Sequence, residues 1–124
     1  MERTTRQRTA IGRILDEADR PMTAAELLTQ ARSELPRLGQ ATVYRTLKDL
    51  IAQGEAVLVE IPGAVPCYER AHRGHHHHFH CTVCAKVFEV DACVSGIETL
   101  VPRGFTLERH EIILAGRCDR CARQ

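Results

Sequence analysis

The most constraining feature of this sequence lies between residues 75 and 84, where five imidazoles and two thiols fall within ten residues. These side chains belong to His75, His76, His77, His78, His80, Cys81 and Cys84. An apolar core cannot use so many ligating groups and a solvated loop does not need them, so the stretch indicates metal binding. Histidine runs are often expression tags, but a tag lies at a terminus and this run is internal.

The histidine run predicts two separate metal sites. Successive side chains of an extended strand alternate between its faces. His75 and His77 therefore point one way, while His76 and His78 point the other. One short strand can then contribute ligands to a site on each face.

Two Cys-x-x-Cys pairs predict a further site of a different kind. Cys81 and Cys84 are followed near the C-terminal end by Cys118 and Cys121 with the same spacing. Four thiolates suit tetrahedral zinc, and a closed site of this kind stabilises a small fold directly. Two disulfides are the alternative. Residues 1–6 lack an apolar signal core, however, and the reducing cytoplasm expected for such a chain favours thiolates on metal.

Length and composition limit the remaining possibilities. A chain of 124 residues allows one ordinary domain or two small ones. No apolar run approaches the ~18 residues of a membrane span, and 27% of the residues are charged, as in soluble proteins. The net charge is only +1, but residues 1–48 carry nine Lys and Arg against six Asp and Glu. This local bias is compatible with phosphate contacts.

Three helices are predicted in the N-terminal half. Apolar residues at helical spacing predict the first over 6–18. Thr23 and Glu26 form a capping box that opens the second helix, which extends to about residue 35. The third helix begins near residue 40 and ends at Gly54, which has the flexibility required after a helix terminus.

The outward face predicted for the third helix carries hydroxyl, phenol and cationic groups. They belong to Thr42, Tyr44, Arg45 and Lys48. A hairpin is predicted over 56–69, with Pro62 and Gly63 at its turn. Such a helix followed by a hairpin is typical of a winged helix-turn-helix that reads the DNA major groove. A small helical bundle with a solvated charged face fits the same pattern.

Residues 71–74 show no hydrophobic period and predict a hinge between a DNA-binding domain, 1–70, and a second domain, 75–124. The elements predicted beyond the hinge are strands over 75–81 and 86–90, a short helix over 95–101 and an alternating strand over 104–116. The fold class expected is therefore α+β.

Further metal ligands are expected near the histidine run. The possible ones are Glu69, Glu89, Cys93, Glu98 and His110. Glu89 and His110 lie on predicted strands, and each could complete one histidine pair. Cys67 could be a metal ligand or a packed thiol of the hairpin, and packing is favoured. Neither His72 nor His80 is expected to bind metal.

Several motifs together resemble the ferric uptake regulator family. They are Ala-Thr-Val-Tyr-Arg-Thr-Leu over 41–47, the run from His75 to His78 shortly before Cys81-x-x-Cys84, and the terminal Cys118-x-x-Cys121. The resemblance covers nearly the whole chain. It implies a homodimeric, metal-activated transcriptional repressor with an N-terminal winged helix-turn-helix domain and a C-terminal α/β dimerisation domain that holds a four-cysteine zinc site. We expect the dimer to bind a palindromic double-stranded DNA operator.

The resemblance also implies roles by position. Tyr44 and Arg45 match DNA-contacting residues, and Arg8 matches a phosphate contact on the first helix. The four cysteines match the structural zinc site. The regulatory ligands implied are Glu69, His76, His78 and Glu89, and the second site implied comprises His75, His77 and His110 with a carboxylate from the following helix.

The chain departs from the family pattern at two places. Iron-sensing members carry a histidine before the second helix, where residues 20–23 here read Arg-Pro-Met-Thr. The helix after the second strand is shortened, which leaves Cys93 or Glu98 in place of the usual carboxylate. Because a thiolate suits Zn²⁺, zinc is the expected regulatory metal. The alternative is a regulator that responds to Fe²⁺ or Mn²⁺, with peroxide-driven histidine oxidation as one variant of it.

Two other classes of protein also use histidine clusters. A metallohydrolase could employ Glu69 or Glu89 as a general base, and a metal-buffering protein could store ions. The sequence shows no pocket-forming domain for hydrolysis, and buffering needs neither the helix trio nor the hairpin. The prediction is therefore a regulator and not an enzyme.

Overall fold

The N-terminal half of the chain folds as three helices around a shared apolar core. The computed structural model describes residues 2–123, with helices α1 (Glu2–Glu17), α2 (Ala24–Ala31) and α3 (Gln40–Ala52). The buried core side chains include Ile11, Leu15, Leu27, Val43, Leu47 and Leu50. They recur at helical spacing in the sequence, and the predicted helix trio is confirmed.

Helix α2 is shorter than predicted. Its predicted capping box is present, since Thr23 Oγ1 accepts the Glu26 N–H at 3.1 Å and Glu26 Oε1 accepts the Thr23 N–H at 3.0 Å. The helix nevertheless ends at Ala31, one turn early. Arg32 Nε donates to the Leu38 carbonyl oxygen at 2.9 Å, and this contact stabilises a turn where the periodicity predicted continued helix.

A three-stranded wing completes this half. β2 (Ala56–Val59) and β3 (Cys67–Arg70) pair antiparallel, with Leu58 opposite Tyr68, which confirms the predicted hairpin. β1 (Met22–Thr23) pairs with the other edge of β3, giving the order β1-β3-β2. β1 was not predicted, because two residues are too few to show a period.

The C-terminal half is built around a second three-stranded sheet. Its strands are β4 (His77–Cys81), β5 (Val87–Val90) and β6 (Ile113–Gly116). The central strand β4 is antiparallel to β5 and parallel to β6. A 3₁₀ helix (Ile97–Leu100) lies where a short helix was predicted, and α4 (Asp119–Ala122) follows β6. Helices and two separate sheets together make the predicted α+β fold.

The long strand predicted over 104–116 is wrong for most of its length. Only β6 pairs with a neighbour, and residues 105–111 join no sheet within the described chain. A strand without a neighbour leaves its backbone N–H and C=O groups without hydrogen-bond partners. The neighbouring strand β4 has only five residues, so it can pair with only a short part of the segment 104–116. The alternating pattern therefore places large apolar side chains such as Phe105 on the surface.

The wing and the C-terminal sheet contact each other through a small apolar cluster. Val59, Ile61 and Cys67 of the wing region pack with Val87 of β5. The two halves therefore share a small packed contact in addition to the hinge.

The hinge itself has an unusual backbone. His72 and Gly74 both adopt left-handed conformations, with φ of 63° and 76°. Such a conformation costs a residue other than glycine about 1–2 kcal/mol, so surrounding contacts must hold the hinge in this shape.

No helix within residues 2–123 is long and apolar enough to cross a membrane.

Candidate metal centres

Ligand-type side chains converge at three places in the described chain, and within each group the ligand atoms lie within 4.8 Å of one another. The four-cysteine cluster is Cys81, Cys84, Cys118 and Cys121; the hinge cluster is Glu69, His76 and His78; the Cys93 cluster is His75, His77, Cys93 and His110. The histidine run is thus divided between two faces, as the alternation predicts, although β4 begins only at His77.

The four-cysteine cluster joins the end of β4 to α4. All four residues are free thiols, and all except Cys84 are buried. The sulfur atoms of Cys84 and Cys118 lie 3.9 Å apart. Two thiolates on one tetrahedral zinc lie about 3.8 Å apart, as follows from a Zn–S distance of about 2.3 Å. The cluster therefore fits a structural zinc ion.

Backbone groups favour a thiolate within this cluster. The N–H groups of Cys84 and Cys118 each donate to the Cys81 sulfur at 3.4 Å, and these hydrogen bonds lower the pKa of Cys81 to about 5. Burial, reinforced by the neighbouring sulfurs, raises the pKa of Cys121 to about 12. The site favours one thiolate but cannot hold four without a compensating cation, which is the charge that a divalent ion supplies.

The hinge cluster connects the two halves of the chain. Glu69 belongs to β3 and is buried, and His76 and His78 lie beyond the hinge. His76 Nε2 is 2.9 Å from Glu69 Oε1, and His78 Nε2 is 3.4 Å from Glu69 Oε2. Burial raises the pKa of the Glu69 carboxyl, but the hydrogen bonds with His78 and His76 outweigh burial and leave that pKa lowered. The carboxylate is therefore ionised and can bind a cation.

His76 is oriented for metal binding. Its Nδ1 lies 2.9 Å from the Gly74 carbonyl oxygen, so Nδ1 carries a proton and donates it. Its Nε2 donates to Glu69 Oε1 as well, and although burial lowers the pKa of His76, the hydrogen bonds with Gly74 and Glu69 leave that pKa raised. A metal ion would take the place of the Nε2 proton, so the lone pair that it would bind already faces Glu69. A backbone carbonyl that accepts the distal N–H is a common support of metal-bound histidines. The hinge cluster therefore fits a divalent cation.

Glu89, predicted as a fourth ligand, lies beside the hinge cluster but is not one of the residues grouped within 4.8 Å. It is the cross-strand partner of His78, and burial together with the nearby Glu69 carboxylate raises its pKa. Glu89 Oε2 accepts a hydrogen bond from Arg73 Nη2 at 2.6 Å, whereas Oε1 is buried without a partner in the described structure. Arg73 was not predicted, because a single arginine in a hinge carries no periodic signal.

The Cys93 cluster lies on the opposite face of β4. Cys93 Sγ is 3.2 Å from His77 Nε2 and 3.1 Å from His110 Nε2, and the rings of His75 and His110 are 4.7 Å apart. Of the two residues predicted for the remaining position, Cys93 joins this cluster, whereas Glu98 lies on the 3₁₀ helix and is not grouped with it. Three imidazoles and one thiol fit zinc better than Fe²⁺ or Mn²⁺.

His77 must rearrange before it can bind metal through Nε2. The Ile112 N–H donates to His77 Nδ1 at 3.0 Å, which places the ring proton on Nε2, the nitrogen that faces Cys93. Burial and the neighbouring imidazoles of His75 and His110 also lower the pKa of His77. A metal ion needs the lone pair on Nε2, so the ring must first release the Ile112 hydrogen bond. The hinge cluster is therefore the better prepared of the two.

Cys67 packs in the wing, as predicted. Its thiol donates to the Val65 carbonyl oxygen at 3.3 Å, and its neighbours are apolar. Burial raises the pKa of Cys67 to about 11, so the thiol is neutral. His72 and His80, which were not expected to bind metal, belong to none of the three clusters in residues 2–123.

Helix α3 presents the predicted polar face. Tyr44, Arg45 and Lys48 are exposed, and Thr42 is half-buried. Arg45 Nη2 donates to Thr42 Oγ1 at 3.0 Å, which holds the guanidinium near the N-terminal turn of the helix. In a helix-turn-helix, residues in the first turns of the recognition helix contact base edges.

Arg8, predicted to contact phosphate, is engaged within the protein. Its guanidinium contacts the side chains of Gln53 and Glu55 at the end of α3. Arg8 and the polar face of α3 both belong to the N-terminal half of the chain. Arg8 must exchange these partners before it can bind a phosphate.

The sequence of this chain matches a known protein family. Residues 2–115 match the sequence profile of the ferric uptake regulator family. The chain belongs to that family. A zinc uptake regulation protein of Mycobacterium tuberculosis is 32% identical over 122 residues, which cover 96% of this chain and 94% of the relative. A ferric uptake regulation protein of Campylobacter jejuni is 32% identical over 126 residues, which cover 97% of this chain and 80% of the relative.

The fold of this chain also matches that of a solved structure. The ferric uptake regulator of Helicobacter pylori has the same fold, with a TM-score of 0.78 at 22% identity over 94% of this chain and 80% of that one. As a member of the ferric uptake regulator family, the chain is a metal-sensing transcriptional regulator.

Proposed function

We propose that this chain is a zinc-responsive repressor that binds operator DNA as a homodimer when its hinge cluster holds metal. The observation that carries the proposal is the location of that cluster. Glu69 belongs to the wing, and His76 and His78 lie beyond residues 71–74. Ligands from both halves that share one cation hold those halves in one relative orientation.

The chain's own residues convert this orientation into DNA affinity. Glu69 is buried and the nearby Glu89 is half-buried, and a divalent ion would supply the positive charge that offsets the repulsion between these two carboxylates. With Glu69 held against His76, the wing and α3 keep a fixed pose relative to β4. Two α3 helices of a dimer must enter successive major grooves about 34 Å apart on a palindromic operator, so a fixed pose favours binding.

Zinc is proposed as the regulatory metal because the Cys93 cluster contains a thiol where the family uses a carboxylate. Thiolates favour zinc over harder divalent ions. The M. tuberculosis relative is also named a zinc uptake regulation protein. We therefore expect the repressed genes to serve metal uptake.

An iron- or manganese-dependent regulator is the second candidate. The hinge cluster favours it as much as it favours zinc, because carboxylate and imidazole ligands suit Fe²⁺ and Mn²⁺ as well. The C. jejuni relative, named a ferric uptake regulation protein, has the same 32% identity to this chain.

Mobility-shift assays with single metals test the proposal. The exchangeable metal is removed with a chelator, and an operator is selected from random duplexes with metal-loaded protein. We expect Zn²⁺ to restore operator binding at a lower free concentration than Fe²⁺ under anaerobic conditions or Mn²⁺. Restoration by iron or manganese alone favours the second candidate, and operator binding that ignores metal altogether contradicts both.

Aspartate in place of Cys93 is expected to reduce the zinc preference of the Cys93 cluster. An oxygen ligand then replaces the thiolate, so the ratio of Zn²⁺ affinity to Mn²⁺ affinity should fall. The decrease should be at least about ten-fold, because a change in a residue that only supports a ligand already alters metal affinity by about that factor. Competitive dialysis followed by elemental analysis measures this ratio. Glu98→Gln is the control, and a larger effect there than at Cys93 would reverse the assignment of the fourth ligand.

Alanine in place of Arg45 is expected to weaken operator binding about 10- to 100-fold, as loss of a base-contacting arginine costs about 1–3 kcal/mol. Metal content should not change, because the Arg45 side chain contacts Thr42 and lies outside every cluster. Fluorescence anisotropy on a labelled operator measures the affinity. Arg103→Ala, at an exposed arginine of the other half, is the matched control. Unchanged affinity in Arg45→Ala would remove α3 from recognition.

The dimer interface is proposed to lie in the dimerisation domain, residues 75–124. Leu100 and Phe105 are 79% and 71% exposed in the single chain. The other large exposed apolar side chains of this half are Val83, Val94, Leu107, Ile113 and Leu114. Exposed apolar surface of this kind marks an interaction site, and a second copy of the chain would cover it.

We also propose that the protein has no catalytic role and acts in the cytoplasm. A metallohydrolase needs a general base beside an open metal position. Glu69, the best-placed carboxylate, already faces two imidazoles in the hinge cluster.

Reduced thiols and operator DNA are both found in the cytoplasm, where four free cysteines can bind zinc.

A further inference from the structure

The hinge contains one positively charged side chain, that of Arg73. Arg73 lies between the left-handed residues His72 and Gly74, and its guanidinium reaches Glu89 on β5. Arg73 Nη2 is 2.6 Å from Glu89 Oε2, and the two side chains are only 19% and 8% exposed. This largely buried ion pair connects the hinge to the C-terminal sheet.

The ion pair leaves the two oxygens of Glu89 in different states. Oε2 accepts the hydrogen bond from Arg73, whereas Oε1 is buried and has no partner among the described residues. A buried carboxylate oxygen without a partner is costly and indicates that a water or an ion belongs there. Because Glu89 pairs across the sheet with His78, its carboxyl group lies beside the hinge cluster.

We propose that Arg73 is a positioning residue for metal binding at the hinge cluster: it holds Glu89 by one oxygen and leaves the other free to bind the cation. The inference rests on the metal-sensing role proposed for that cluster. A hydrogen bond that orients a carboxylate ligand in advance removes part of the entropic cost of binding, and such supporting partners contribute about 10- to 100-fold in affinity.

The opposite role for Arg73 would be that of a competitor that occupies Glu89 until a metal ion displaces it. The geometry favours positioning, because Arg73 contacts one oxygen and leaves the second unpartnered. The two roles differ in sign. Removal of a positioning residue weakens metal binding, whereas removal of a competitor strengthens it.

Zinc affinity measured against a chromophoric chelator distinguishes these roles. The parent protein carries Cys93→Ser, so that the hinge cluster is the main exchangeable site and the four-cysteine zinc stays in place. We expect Arg73→Gln to lower zinc affinity about 10- to 100-fold. Arg73→Lys should recover part of the loss, because lysine can still donate to Glu89. Arg70→Gln, at an exposed arginine on β3, is the matched control and should not change the affinity.

A double-substitution cycle tests whether Arg73 acts through Glu89. With Glu89→Gln already present, Arg73→Gln should cost no further affinity, since its partner is gone. A persistent cost would make Arg73 a general structural residue and overturn the inference. Unchanged or tighter zinc binding by Arg73→Gln alone overturns it as well. If the parent itself binds no exchangeable zinc at the hinge cluster, the proposed function fails, which is a separate result.

Discussion

Serine in place of Cys118 is expected to remove the structural zinc ion and unfold the C-terminal half in the same step. Cys81, Cys118 and Cys121 form the buried core of this region, with Phe79 and Phe88 packed against them. Structural zinc contributes about 10–16 kcal/mol of apparent binding energy in small domains, which is comparable with the entire stability of an ordinary domain, about 5–15 kcal/mol. The buried apolar residue Val87 of the same sheet packs against the wing and not within the C-terminal half.

The loss should be seen by two independent measurements. Elemental analysis should find that the zinc of the four-cysteine cluster is gone, and circular dichroism should find no cooperative thermal transition for the C-terminal half. Cys93→Ser is the matched control, because Cys93 is an exposed thiol outside the four-cysteine cluster. A zinc-free Cys118→Ser protein that remains dimeric and unfolds cooperatively would contradict the structural role.

Glutamine in place of Glu69 is expected to uncouple DNA binding from metal. Glu69 contributes the wing-side oxygens of the hinge cluster, and both of them face imidazoles. A neutral amide binds a divalent cation far more weakly than a carboxylate, so affinity for the exchangeable metal should fall by about 100-fold or more. A near-complete switch needs a differential affinity of about 10⁴, which a site without Glu69 cannot supply.

The measurement is operator affinity as a function of free metal concentration. The wild-type protein should bind more tightly as metal is added, and Glu69→Gln should show a flat response over the same range. Glu60→Gln makes the same change at an exposed carboxylate nearby in the chain and should respond like the wild type. Retention of the structural zinc shows that each variant is folded. A normal metal response in Glu69→Gln would mean that another cluster controls DNA binding.

The grouping of ligand-type side chains was predicted from the sequence where these side chains follow one another along the chain. His76 and His78 are separated from His75 and His77 by the alternation of an extended strand, and the structure places the two pairs in different clusters. Their roles as ligands remain a prediction.

Ligands distant in sequence were predicted less well. Cys93 and Glu98 were equally acceptable in the sequence, and only the path of the chain after β5 separates them. The ion pair of Arg73 with Glu89 was not predicted at all, because the two residues meet through a bend in the hinge.

The fold shows the same division. The apolar stripes of the three helices and the hairpin were correctly predicted, since a helix or a pair of consecutive strands satisfies most of its hydrogen bonds within a short segment. The strand predicted over 104–116 failed because a strand depends on a partner elsewhere in the chain. Within the described residues that partner is β4, which pairs only with β6 on that side.

Periodicity and spacing were enough to predict the helix trio, the wing, the Cys-x-x-Cys pairs and the two faces of the histidine run, because both are local properties of the backbone. Which distant side chains complete each cluster depends instead on how the elements pack. The tertiary structure placed Glu69 from the wing against His76 and His78 across the hinge. It also left one oxygen of Glu89 free beside them. Such contacts depend on how separate elements pack, and no local pattern encodes the distance between two elements.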